Sequence, residues 1–153
     1  EGEGKQMLKN LTFFDSSWNK EGKGIPHLYS KLEGKDGVIF DLTTGLMWQQ
    51  GGSSNYMHYD EAKKWIAELN RKGYAGYHDW RLPTLEQAMS LMEPKKNKND
   101  LYIDPVFNAT QSWIWTSDLL QGESRAWVVL FYYGGCGHGY LSYYDAYVRA
   151  VRF

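Results

Sequence analysis

Residues 125–153 read RAWVVLFYYGGCGHGYLSYYDAYVRAVRF; both ends are strand-like, and the middle follows another rule. RAWVV alternates into a buried strand, and in YVRAVRF Val148 and Ala150 alternate with Tyr147, Arg149 and Val151. Between them, residues 130–146 hold three tyrosine clusters (Tyr132–Tyr133, Tyr140, Tyr143–Tyr144) and four glycines, with no Lys, Glu, Gln, Met or Trp. Those five types make up roughly a quarter of the chain, so chance would empty a run of this length only about once in a hundred. If the alternation of RAWVV continues, Leu130 and Tyr132 share one face and Phe131 points into the core.

Outward from this segment, the chain orders itself as strands, two helices, then strands. HLYSKLEG and GVIFDLTTGLMWQQ are strand material, divided by turns at Gly34–Gly37 and Thr43–Gly45. From His58 to Lys72, Ala62, Trp65, Ile66 and Leu69 recur at helical spacing, Asp60 and Glu61 occupy the first turn, and Gly73 ends the helix. Thr84 and Gln87 form a capping box before the apolar face Leu85, Ala88, Met89 and Met92, and Pro94 stops it. Asp104–Phe107 is a tight turn that plants Phe107 in the core, and SWIWTS opens the closing strands. The expected class is α+β with mixed or antiparallel sheets, two helices and a loop-rich ligand-binding region. Residues 1–30 are expected to be an extended arm docking through Phe13, Phe14 or Trp18, and 31–153 the domain.

Composition narrows the function. A chain of 153 residues can bury the core of one domain, and a net charge of -1 with dispersed signs offers no electrostatic grip on nucleic acid. No apolar run reaches the ~18 residues of a membrane span, which excludes insertion by a helix. No charged-then-apolar leader opens the chain, and because its first residue is Glu an upstream piece is expected to have been removed. The single Cys136 excludes an internal disulfide and a thiolate metal site.

Catalytic patterns are thin. His27, His58, His78 and His138 are scattered without metal-ligand spacing and are expected at the surface or at caps. GGCGHG follows a strand without opening a helix, so it is not a phosphate cradle, and Cys136 beside His138 lacks an orienting third group. DWRLPT (79–84) is the most distinctive short motif. It is expected to be structural, with Trp80 an anchor and Arg81 buried and bonded to a carboxylate such as Asp79 or Asp41, or to backbone carbonyls. Trp113, Trp115 and Trp127, at strand spacing, are expected in the core rather than on a sugar-stacking platform. No catalytic residue, metal or cofactor is expected.

The series GVIFDLTTGLMWQQ, DEAKKWIAELN, GYHDWRLPT, DPVF, WIWTSD, AWVVLF and YVRAVR resembles the C-terminal domain family of collagen-like bacterial adhesins, from about Asp36 to Phe153. That resemblance implies a C-type-lectin-like fold with both ends in one sheet and a loop-rich ligand site. The calcium-ligand run of many lectin-like domains is missing, so no metal is expected. The same fold hosts the formylglycine-generating oxidases, but these need reactive cysteines and this chain has one.

RAWVV-x-F followed by glycines and YVRAVR also resembles the variable region of proteins diversified by retroelements. There, Asn codons of a template are randomised at their adenines, which can never produce Lys, Glu, Gln, Met or Trp, the five types absent from 130–146. The resemblance implies a display domain whose variable surface comprises Leu130, Tyr132, Tyr133, Gly135, Gly137, His138, Gly139, Tyr140, Ser142, Tyr143, Tyr144 and Asp145. Cys136, Leu141 and Ala146 are also reachable by codon but stand between surface and framework. Tyr gives large contact area for two torsions while Ser, Gly and Asp give adaptable polar contacts, as in antibody loops. The five tyrosines of the segment are therefore expected on one solvent-facing patch. The expected partner is a protein or glycan on a target cell, and the expected location a virion receptor-binding structure or a microbial cell surface. The alternative is a fixed-specificity adhesin domain that binds sulfated glycans; its nearest cation cluster is Lys95, Lys96 and Lys98, and 130–146 contains no cation.

Overall fold

Two turns in the first half of the domain set the first sheet. Residues Val38–Asp41 (β2) and Leu46–Gln49 (β3) pair antiparallel across a turn in which the Asp41 carboxylate accepts from Thr43 N (3.0 Å) and Thr44 Oγ1 (2.9 Å). Gly45 takes φ 77°, the left-handed value that a side chain disfavours. Tyr29–Lys31 (β1) adds to β2 and Val151–Arg152 (β7) to β3, giving the order β1-β2-β3-β7, so the first and last strands share one sheet. Trp113–Leu119 (β4), Arg125–Leu130 (β5) and Gly135–Tyr140 (β6) form a second antiparallel sheet in that order. The computed structural model describes residues 2–120 and 124–153.

The helices lie where the periodicity puts them. Tyr59–Lys72 (α2) starts after His58, whose N–H meets Glu61 Oε1 at 3.3 Å, and ends at Gly73 in the left-handed region (φ 69°). Leu85–Ser90 (α3) carries the expected box, with Gln87 N donating to Thr84 Oγ1 (3.1 Å) and Thr84 N to Gln87 Oε1 (3.0 Å). Leu85, Ala88, Met89 and Met92 are all buried, as is Phe107 above its turn. With Gly2–Asn10 (α1), the described residues form three α-helices beside two antiparallel sheets, an α+β fold.

Four expectations are corrected. The N-terminal segment is not an extended arm: Gly2–Asn10 is a helix (α1), with Glu1 outside the described residues. Its two glycines are poor helix formers, and tertiary packing overrides them. Leu8 is wholly buried, and Gly4 lies so close to the Trp127 ring that a Cβ there would come within 3.3 Å. Beyond the helix, Phe13 and Phe14 are buried, while Trp18 is half-buried, edge-on to Trp127 at 5.9 Å. Secondly, the loop-rich region contains the strand β6, which pairs with β5 over its full length. Thirdly, Trp80 is buried as expected, but Arg81 is half-buried, and of its expected partners it bonds a backbone carbonyl and neither Asp79 nor Asp41. Its guanidinium reaches Gln87 Oε1 (2.8 Å) and Leu82 O (3.4 Å), because Arg152 takes Asp79 and His27 takes Asp41. Fourthly, the His27 side chain is buried rather than superficial, its ring between Asp41 Oδ2 (2.6 Å) and Ser90 O (2.5 Å).

The deepest polar element is Arg149, fully buried. Its guanidinium donates to Gly51 O (2.9 Å), Asn108 O (3.0 Å), Gln50 O (3.2 Å) and Gln111 Oε1 (3.3 Å). Burial pulls its pKa down to about 9. Arg149→Ala would strand these acceptors, each costing about 1–3 kcal/mol when left unpaired. The urea midpoint should therefore fall by the equivalent of more than about 3 kcal/mol. Arg152→Ala, which removes a surface pair with Asp79, should cost less than about 1 kcal/mol.

Candidate ligand-binding surface

The surface is built by register. Trp113, Trp115 and the β5 residues Val128 and Leu130 lie opposite one another, and β6 places Gly139, Gly137 and Gly135 against Ala126, Val128 and Leu130. Paired residues share a face and successive ones alternate, so β6 presents three glycines on one side and Cys136, His138 and Tyr140 on the other, beside Val129, Trp127 and Arg125. β6 is an edge strand of its sheet.

On the glycine face one stretch of bare backbone is covered by an aromatic ring from beyond the strand. Tyr144 lies over Gly139, where a Cβ would come within 2.4 Å of the ring, and stands edge-on to Trp115 (5.7 Å). Tyr132, half exposed, stands edge-on to Trp113 (6.0 Å), which also meets Tyr147 (4.9 Å) and Tyr56 (5.8 Å). Burial raises the Tyr144 pKa, and the neighbouring Tyr132 hydroxyl raises it further. A Cβ on Gly137 would meet only Leu130 Cδ1 within 4 Å, at 3.6 Å, an ordinary contact. Asp145 pairs with His58 Nδ1 (2.6 Å) while its carbonyl accepts from Trp113 Nε1 (2.8 Å).

The opposite face differs chemically. Tyr140 and Tyr143 stack at 5.1 Å and 18°. Arg125 lies over Tyr140 (5.2 Å) and donates to His138 Nδ1 (3.1 Å), so a cation from the neighbouring strand stands among these residues. Tyr133 belongs to neither face. It sits in the 131–134 turn, its hydroxyl 2.6 Å from Ser17 Oγ.

The tyrosines therefore do not form one continuous patch. Tyr132 and Tyr144 lie on one face of β6, Tyr140 on the other with Tyr143 stacked on it, and Tyr133 at the turn, all bordering an edge strand. Tyr132, Tyr133, Tyr140, Ser142 and Tyr143 are exposed; Leu130, Gly137, His138, Tyr144 and Asp145 are half-buried. Gly135 and Gly139 are buried, against the expectation of exposure, because Asp15 crowds the first and Tyr144 the second. Phe131 and Ala146 are fully buried; Cys136 and Leu141 are half-buried against the core. Of the three tryptophans expected in the core, Trp113 instead lies half-buried under the aromatic cluster. Sequence reasoning missed Tyr56, His58, Arg125 and Asp15. Tyr56 had one signal, an aromatic in the loop GGSSNYMHY; the others arrive only through pairing and packing.

An apolar cavity of about 320 Å³ lies elsewhere, lined by residues including Leu11, Phe13, Ile25, Leu46 and Phe153. Among the described residues, no three His, Cys, Asp or Glu side chains are placed to hold a metal ion. An α+β scaffold that gathers aromatic and polar side chains along a strand edge has the make-up of a contact surface. The Lcl C-terminal domain model matches residues 37–152, and the chain belongs to that family, one of binding, adhesin-type domains. No curated protein matches the chain.

Replacing Tyr132, Tyr140 and Tyr143 with Ser should each change stability by no more than about 0.5 kcal/mol, whereas Trp127→Ala or Phe131→Ala should cost about 3–5 kcal/mol. Gly139→Ala should cost about 1–3 kcal/mol by displacing Tyr144, and most of that loss should vanish in a Tyr144→Ser background. Urea melts of the singles and the double mutant check both.

Proposed function

We propose that this chain is a retroelement-diversified display domain of C-type-lectin-like fold, binding a protein or glycan on a target cell through a hypervariable surface. The observation that carries this is the coincidence of two boundaries. Residues 130–146 lack the five amino acids that randomised Asn codons cannot encode, and within them the exposed tyrosines 132, 133, 140 and 143 lie between the buried anchors Phe131 and Ala146. The flanks, β5 and the residues from Tyr147 onward, are framework: Val128, Val129, Val148, Arg149, Ala150 and Val151 are all buried. The proposed contact surface folds over the edge of β6, with Tyr132 and Tyr144 on one side and Tyr140 and Tyr143 on the other. A virion receptor-binding structure or a microbial cell surface is the setting such a domain suits.

Aromatic anchors dominate most interfaces, so truncating the central tyrosine of the contact should cost a bound ligand at least ~2 kcal/mol. Among the described residues Arg125 brings a cation to the contact and 130–146 itself carries none, so binding should fall little with added salt, unlike the binding of a sulfated polyanion.

The decisive experiment is deep sequencing of the gene and its neighbourhood in a growing population. Expected are a near-copy of the segment with Asn codons beside a reverse transcriptase, and substitutions concentrated at the first two bases of the surface codons. Constant codons and no near-copy would overturn the proposal in favour of a fixed-specificity adhesin domain.

A further inference from the structure

The display surface is held by a segment that the family match does not include. Asp15, only 1% exposed, divides its carboxylate between two elements. Oδ1 accepts from Ser17 N (2.8 Å) and Trp18 N (2.9 Å), shaping its own turn. Oδ2 accepts from Cys136 N (3.2 Å) and lies 3.5 Å from Cys136 Sγ, at the start of β6. The next two residues grip the turn before it. Ser16 N donates to Gly134 O (2.8 Å), Ser16 Oγ to Tyr133 O (3.1 Å), and Ser17 Oγ meets the Tyr133 hydroxyl at 2.6 Å.

We propose that residues 15–17 clamp the 133–136 turn and thereby decide which positions of the display surface can change. A Cβ on Gly135 would stand 3.1 and 3.2 Å from the two Asp15 carboxylate oxygens, and those oxygens are anchored by backbone amides. A side chain at 135 requires the Asp15 carboxylate to give by a few tenths of an ångström against the amides that hold it. Gly134, at φ 87° and against the Tyr102 ring, is fixed for a second reason. Cys136 turns its amide and thiol to Asp15, and burial, then that carboxylate, push the thiol well above the ordinary thiol range. Positions 134, 135 and 136 are framework although their codons permit change. Positions 139 and 144 are coupled, because Tyr144 occupies the space a side chain at 139 would need. Free variation is left to exposed positions such as 132, 140, 142 and 143.

The clamp rests on the display function only for its consequence in variation; its physical existence is testable by itself. In the full chain, Asp15→Asn keeps one acceptor oxygen for the arm's own turn and turns an NH2 donor toward the donors of Cys136. Cys136 N–H should then exchange at least about tenfold faster, with no change in the strand amides Trp115 and Val128. The thiol should react faster with a maleimide, its pH profile displaced to lower pH because a nearby negative charge has gone. Gly135→Ala should lower the melting temperature by about 3 °C or more in the natural chain and much less in Asp15→Ala. Unchanged exchange and thiol reactivity in Asp15→Asn, or equal effects of Gly135→Ala in the two backgrounds, would overturn the clamp. In the population sequencing, variation at codons 135 and 136 as free as at 132 and 143 would also overturn it, while leaving the display function standing.

Discussion

The return of the chain from the 130–146 segment into the fold depends on a buried guanidinium. Arg149 satisfies acceptors from the end of β3 (Gln50, Gly51) and from the stretch after the Phe107 turn (Asn108, Gln111), and it stands on the chain leaving the 130–146 segment. A charge in a fully buried site is costly. Here neutral oxygens on Nε and Nη2, with the Phe107 ring 5.0 Å from the guanidinium, offset that cost, although Nη1 has no hydrogen-bond partner among the described residues. Its neighbours complete the anchorage: Val148 and Ser53 exchange two hydrogen bonds of 2.9 Å, and Tyr147 bridges to Ile114. The segment is thereby re-entered into the fold within a few residues of its end.

At the other end, β5 does the equivalent by packing on both faces. Trp127 and Val129 belong to the core that includes α3 and Leu8 of α1, while Ala126 and Val128 face α2 and Tyr144. Between two such anchors a short hairpin strand can carry many different side chains, because its backbone is set by pairing with β5 and by the turn bonds from Ser112 and Tyr102. The glycines extend that logic, since side chains from outside the strand, Asp15 at Gly135 and Tyr144 at Gly139, take the space beside two of them.

The strand and helix signals were legible because each rested on local chemistry: alternation in RAWVV, the Thr84–Gln87 box, Gly73 after a periodic helix, and the Asp104–Phe107 turn. Trp80, Phe107 and Phe131 were readable as core for the same reason. Three features were not. Gly2 and Gly4 hide a helix that is held by tertiary packing, its own Leu8 buried in the core and its Gly4 against the Trp127 ring. GCGHGY has almost no strand propensity and becomes β6 through the partner it meets. The division of the tyrosines between two faces follows from that hidden strand, so a segment taken as loop suggested a single patch. Residues such as Arg125 and Asp15, far from the segment in sequence or outside its pattern, reach it through register and docking alone.

The placement of β7 has a mechanical consequence. Its pairing with β3 comprises only Met47 with Arg152 and Trp48 with Val151, in the sheet opposite to the one that bears β6. A pull on the last residue loads this short zipper first and the Arg149 anchorage next, while the hairpin of β5 and β6 lies off the load path. Tension arriving through that end is borne by the framework before it can deform the proposed contact surface.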